Sequence, residues 1–147
     1  MLPTRCCARS VPESAVDNGW MTEHTVATAW HAPALQRASR VVLALLIVVV
    51  SWLAWSPAPP PEAASGWDKL DHFAAFGALA FVAVLGFGWH ARLRIALALL
   101  GYGVLIEFVQ AFIPTRTAEA MDVLADGVGI TLGLAATRLI LRLAQKI

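Results

Sequence analysis

Residues 41–55 read VVLALLIVVVSWLAW, a run in which Ser51 is the sole polar side chain. As a helix it would rise about 22 Å, short of a bilayer core of about 30 Å. Ala38, Ser39 and Arg40 can extend it on the N-terminal side. Pro57, Pro59, Pro60 and Pro61 follow and stop it, because proline removes a donor and clashes with the preceding turn. A cleaved leader is the rival reading, since small residues follow the run. A long preceding stretch and further apolar runs downstream favour a membrane span.

Three such runs follow, at 73–89, 95–113 and 121–141. The second of these is interrupted by Glu107 and Gln110 and stopped by Pro114. The last carries Asp122 and Asp126 near its start and Arg138 near its end. Lipid admits only helices or closed barrels, and these runs are too long and too uniformly apolar for barrel strands. Composition agrees: of 147 residues, 59% are hydrophobic and 14% charged, with a mean hydropathy of +0.67. Average soluble domains carry about 25% charged residues. The expected fold is therefore all-α, an integral membrane bundle of four transmembrane helices over residues 39–147. Residues 1–38, with Pro3, Pro12, Gly19 and Pro33 among polar positions, read as a disordered cytoplasmic tail. Met21 within it is a candidate start.

A net charge of +1 gives no basic face for nucleic acid. Cys6 and Cys7 are neighbours, so they cannot staple distant segments or build a zinc ribbon. Orientation follows from the bases. Arg5, Arg9, Arg37, Arg40, Arg92, Arg94, Arg138, Arg142 and Lys146 fall at one end of the expected bundle, and only Lys69 and Arg116 at the other. The positive-inside rule then puts both termini in the cytoplasm. Trp52, Trp55, Trp67 and Trp89 lie near span ends and read as interface anchors.

The opposite end collects polar residues. Glu107 and Asp126 lie at similar depth, about 9 Å and 7 Å from the outer ends of their spans at the helical rise. Gly103, Glu107, Gln110 and Pro114 repeat with spacing 4, 3, 4, as do Asp122, Asp126, Gly129 and Gly133. Each set forms one helical stripe, and small residues let helices approach closely in lipid. The two stripes are expected to face each other. Asp68 and His72, also on one stripe, should join them, with Lys69 and Arg116 as cationic partners.

These residues carry a resemblance. DKLDHF at 68–73, Glu107 and Gln110 as E-x-x-Q, PTR at 114–116 and DVLADGVGITLG at 122–133 resemble the VanZ-like family in order, spacing and topology over residues 40–142. Asp68, Lys69, His72, Glu107, Gln110, Arg116 and Asp122 fall on its motif positions. Asp126 stands where that pattern has asparagine. An ionised aspartate accepts hydrogen bonds without donating, so Asp126 is expected to be protonated or paired with Arg116. The resemblance implies a protein of the bacterial envelope, related to one that lowers susceptibility to teicoplanin; it does not imply a particular reaction.

Three functions compete on these residues. One is a binding pocket open to the outside for a membrane lipid or envelope precursor, with Lys69 and Arg116 as phosphate partners. A second is a cluster that only fixes helix packing. The third is ion or proton movement, but no charged residue continues the path inward from Glu107 until Arg138. No H-E-x-x-H or G-x-S-x-G motif is present, so no enzyme class is assigned. His72 with Asp68, Glu107 and Asp122 would suit a hard ion better than zinc. No ligand-spacing motif accompanies them, so the sequence assigns no metal and no cofactor. It leaves the oligomeric state open.

Overall fold

A computed structural model describes residues 32–57 and 68–144. Among them the chain forms α1 (Pro33–Trp55), α2 (Asp68–Phe87), a single 3-10 turn (Trp89–Ala91), α3 (Arg92–Gln110) and α4 (Ala120–Ala144). All four α-helices are long and apolar enough to cross a membrane. Successive helices run antiparallel, so the C-terminal ends of α1 and α3 share one end of the bundle with the N-terminal ends of α2 and α4.

The helix ends differ from the hydropathy runs for local reasons. α1 begins at Pro33, inside the stretch 1–38 expected to be disordered, which moves the start of the bundle from residue 39 to 33. Proline suits the first helical position, where its missing N–H has no partner to lose. At 23 residues, α1 rises about 34 Å and needs no extension to span. The expectations for Met21, Cys6 and Cys7 and for the rest of the tail lie outside the described residues. α2 ends at Phe87 rather than Trp89 because Gly88 takes φ +83°, a left-handed conformation that side chains disfavour. α3 ends at Gln110. Beyond it, turn bonds run from Phe112 N–H to the Val109 carbonyl and from Ile113 N–H to the Gln110 carbonyl (3.0 and 2.9 Å), and Pro114 prevents further winding.

α2 packs most closely on α4, next on α1, and less on α3. Its sequence explains this central place: Ala75, Gly77, Ala80 and Ala83 leave little side chain between backbones. The α2–α4 contact is the tightest. A side-chain carbon at Gly77 would stand 3.3 Å from the Gly129 carbonyl oxygen, one at Gly129 would run into the Phe73 carbonyl, and one at Gly133 into that of Gly77. The glycines of the α4 stripe therefore face α2. This corrects the expectation that they face the α3 stripe; α2 supplies the glycine and alanines that close approach requires, and α3 does so only at Gly103. Phe76, Leu79, Ala83, Val84, Leu99, Ile106 and Ile130 fill the core.

α1 is peripheral. Val41, Leu45, Val48 and Trp52 form an exposed stripe on it, while Leu43, Leu46, Ile47 and Val50 meet the core. Two arginines tie down neighbouring backbone. Arg40 Nε donates to the Gly86 carbonyl (2.8 Å) near the C-terminus of α2, and its guanidinium lies 4.9 Å from the Phe87 ring centre. At the same end Trp89 lies beside both Arg92 and Arg138, at 5.4 and 5.5 Å, cation–π distances that suit its role as an interface anchor. Between α1 and α3 the Ser51 and Tyr102 hydroxyls meet at 2.7 Å, and Tyr102 donates to the Ile47 carbonyl (3.2 Å). A lone serine in an apolar helix commonly bonds back to its own backbone; here Tyr102 supplies a cross-helix partner.

Candidate functional site: a buried histidine–carboxylate cluster

At the end of the bundle where α2 and α4 begin and α3 finishes, three helices each aim polar side chains inward. His72 comes from the first turns of α2, Glu107 from the last turn of α3, and Asp122 and Asp126 from the first two turns of α4. All four are buried, the two aspartates completely. His72 is the hub. Its Nδ1 lies 2.9 Å from Asp126 Oδ1, and its Nε2 lies 3.6 Å from Glu107 Oε1. The second Glu107 oxygen, Oε2, accepts the Glu119 N–H at 2.8 Å. Glu107 Oε1 and Asp126 Oδ2 are buried without a hydrogen-bond partner among the described residues.

The walls around these groups are built by backbone and ring. A side-chain carbon at Gly103 would run into the Asp126 carboxylate, so glycine at this α3 position leaves room for it. The Phe76 ring stacks parallel to the His72 imidazole, with centres 6.4 Å apart, and fixes its plane from below. A charged group inside a membrane costs about 2.5–3.5 kcal/mol on insertion scales. Turning three carboxylates into one small volume adds mutual repulsion to that. Packing does not require such a concentration.

Lys69 forms the rim. Its Nζ pairs with Glu119 Oε2 at 2.7 Å and stands 3.6 Å from Asp122 Oδ1. The ammonium and Glu119 are both half-exposed, so the pair itself contributes little energy. The position of Lys69 is informative: it links half-exposed Glu119 to the fully buried Asp122 carboxylate. Glu119 was not among the residues expected at the site. Its backbone and side chain both take part, and nothing in the sequence beyond its acidity marks it, because a turn rather than a helical stripe brings it in.

Two expected members turn elsewhere. Arg116 donates from Nη2 to the Leu53 carbonyl (2.7 Å) and from Nε to the Ser56 carbonyl (3.2 Å). Gln110 Nε2 donates to the Ala54 carbonyl (3.1 Å), and Thr115 Oγ1 to that of Pro57 (2.9 Å). Together they satisfy the carbonyls that the end of α1 leaves unbonded, where cations and donors are also favoured by the helix dipole. Arg116 therefore caps the end of α1, and among the described residues it does not form the expected pair with Asp126. Asp126 takes His72 instead. The expected contribution of the Asp68 side chain lies outside the described residues.

The model of the VanZ/LLP1 family matches residues 18–142. The chain belongs to that family. It is also similar to an uncharacterized protein of Schizosaccharomyces pombe, 30% identical over a match of 105 residues that covers 69% of this chain. The match spans 63% of that relative's length. No solved structure matches the chain.

Within this VanZ/LLP1 protein the motif residues divide into two groups with different work. Gln110 and Arg116 hold the end of α1 against α3 and the turn after it. Lys69, His72, Glu107, Asp122 and Asp126 converge on the cluster. Both groups sit at one end of the bundle, so depth in the sequence places them together, and only side-chain direction separates them.

Proposed function

We propose that this protein is a multi-pass component of a bacterial inner membrane, with both termini cytoplasmic. Its histidine–carboxylate cluster then opens to the outer face, binds a cell-envelope component there and alters susceptibility to teicoplanin-type glycopeptides. The observation that carries the reading is the buried, incompletely bonded Glu107 carboxylate facing His72, 3.6 Å from its ring nitrogen. A bundle that needed only packing would gain by replacing it. The charge bias of the loops supports the outward direction, and family membership supports the envelope role. With Arg116 engaged at α1, formal negative charge dominates the cluster. It favours the cationic or polar part of an envelope amphiphile over a bare phosphate headgroup.

The test is Glu107→Gln, which is nearly isosteric and keeps an oxygen to accept the Glu119 N–H. The variant and parent are produced in a teicoplanin-sensitive bacterium, membrane content is measured by immunoblot, and survival is scored against drug concentration. Loss of protection at parental membrane levels is the expected result. If the charge serves packing alone, its removal leaves folding intact or improves it, and protection equal to the parent's refutes the site. Asp126→Asn is the companion variant: its amide oxygen can still accept from His72 Nδ1, and protection should persist.

A further inference from the structure

We infer that the cluster is a divalent-cation site, with His72 Nε2, Glu107 Oε1 and an Asp122 carboxylate oxygen as the protein ligands. One ligand atom from each of these residues lies within 4.8 Å of the other two, and Nε2 stands 3.6 Å from Oε1. Neighbouring ligands of a bound ion, each about 2.1 Å from it, stand about 3.0–3.4 Å apart. Closing the site therefore takes shifts on the order of 1–2 Å, within reach of a glutamate or aspartate rotation.

Three features point to a cation besides the count of ligands. The first is proton direction. Asp126 Oδ1 holds His72 Nδ1 at 2.9 Å; facing an ionised carboxylate, Nδ1 carries the hydrogen, and in the neutral ring Nε2 then presents a lone pair. Metal-bound histidines are held in this way by a carboxylate behind the ring. The second is Glu107. Its side chain is 9% exposed, its Oε2 is fixed by the Glu119 N–H, and its Oε1 has no hydrogen-bond partner among the described residues and points at Nε2. With the ring neutral, two lone pairs face each other across 3.6 Å, an arrangement that a metal cation between them, or a proton on Nε2, relieves. The third is charge. Asp122 and Asp126 are fully buried beside Glu107, and Lys69, half-exposed at the rim, pairs with Glu119 at 2.7 Å and reaches Asp122 Oδ1 at 3.6 Å.

One imidazole and two carboxylates suit a hard divalent ion that also accepts nitrogen, such as Mn²⁺, with Zn²⁺ as a tighter-binding competitor for the same donors. Three protein ligands leave coordination positions open to water or to an oxygen of a bound molecule. The inference concerns the cluster described above but does not need its role in drug susceptibility, so ion binding and survival can fail independently.

The experiment uses the full chain in detergent micelles, stripped with a chelator and titrated with Mn²⁺. Loss of the free-ion paramagnetic resonance signal should give one tightly bound Mn²⁺ per chain. Pulsed resonance on the parent should show nitrogen coupling from one imidazole, and Zn²⁺ should displace the Mn²⁺. Glu107→Gln and Asp122→Asn should each weaken binding by at least about tenfold, and His72→Gln should abolish the nitrogen coupling. Asp126→Asn, which keeps an acceptor behind the ring, should fall toward the low end of the 10–100-fold loss typical of such outer residues. A parent that binds neither Mn²⁺ nor Zn²⁺ at millimolar concentration overturns the inference, as does bound Mn²⁺ without nitrogen coupling. Because those two readouts need no variant, an unstable substitution does not protect the idea. Binding unchanged in a folded Glu107→Gln protein also overturns it.

Discussion

The α2–α4 contact can be tested with glycine-to-alanine changes on two faces of one helix. Gly127 and Gly129 are two residues apart in α4, so both gain the same intrinsic helix preference from alanine, at most about 1 kcal/mol. Their surroundings differ. A side-chain carbon at Gly127 meets nothing within 4 Å, whereas at Gly129 it would stand 3.1 Å from the Gly77 nitrogen with the Phe73 carbonyl closer still. Those are backbone atoms, so no side-chain rotation relieves the contact and the two helices must part. Overpacking of this kind costs about 1–3 kcal/mol. Gly127→Ala should therefore be neutral or slightly stabilising, and Gly129→Ala should fall below it by about 1–3 kcal/mol. Propensity cancels in the comparison between the two variants. The assay is unfolding from mixed micelles by increasing denaturing detergent, followed by tryptophan fluorescence. Equal midpoints for the two variants would refute the close approach of α2 and α4, and with it the route by which Asp126 reaches His72.

Capping of α1 by Arg116 predicts that Arg116→Ala loses about 1.5–3 kcal/mol in the same assay, as expected for hydrogen bonds from a charged donor. Arg116→Lys should recover only part of this, since an ammonium lacks the planar fork, and a loss-free alanine variant would return Arg116 to the list of ligand partners. Tyr102→Phe removes the junction between Ser51 and the Ile47 carbonyl and should cost on the order of 1 kcal/mol, in line with hydrogen bonds between membrane helices; no change in midpoint would mean the hydroxyls do not meet. For topology, reporter fusions after Ala64 and Ala118 should signal from outside, and those after Arg92 and Ile147 from the cytoplasm. A cytoplasmic signal at Ala118 reverses the orientation and the outward direction of the cluster.

How much was legible before the tertiary structure follows from the kind of information each feature needs. The four spans were readable because a bilayer imposes length and hydropathy on any helix that crosses it, and both are local properties of the chain. Their ends were less so. Pro33 starting α1 and Gly88 ending α2 are backbone effects that hydropathy does not register. The membership of the cluster was largely readable too: a charge within an apolar run must face inward, and equal depth in antiparallel helices puts Glu107, Asp126 and His72 at one level. Glu119 was missed because a turn delivers it.

What the amino-acid sequence by itself determined is thus the number of helices, the end at which the polar residues gather and the rows along which they lie. Only the tertiary structure decided which row meets which. The glycines of α4 could have closed on α3 or on α2, and α2 won because Gly77 and Ala80 let its backbone come within contact distance. That choice carried Asp126 to His72, and it left Arg116 and Gln110 to bond the free carbonyls of α1. Spacing along a helix fixes the face a side chain occupies, whereas its partner is set by which neighbouring backbone can approach.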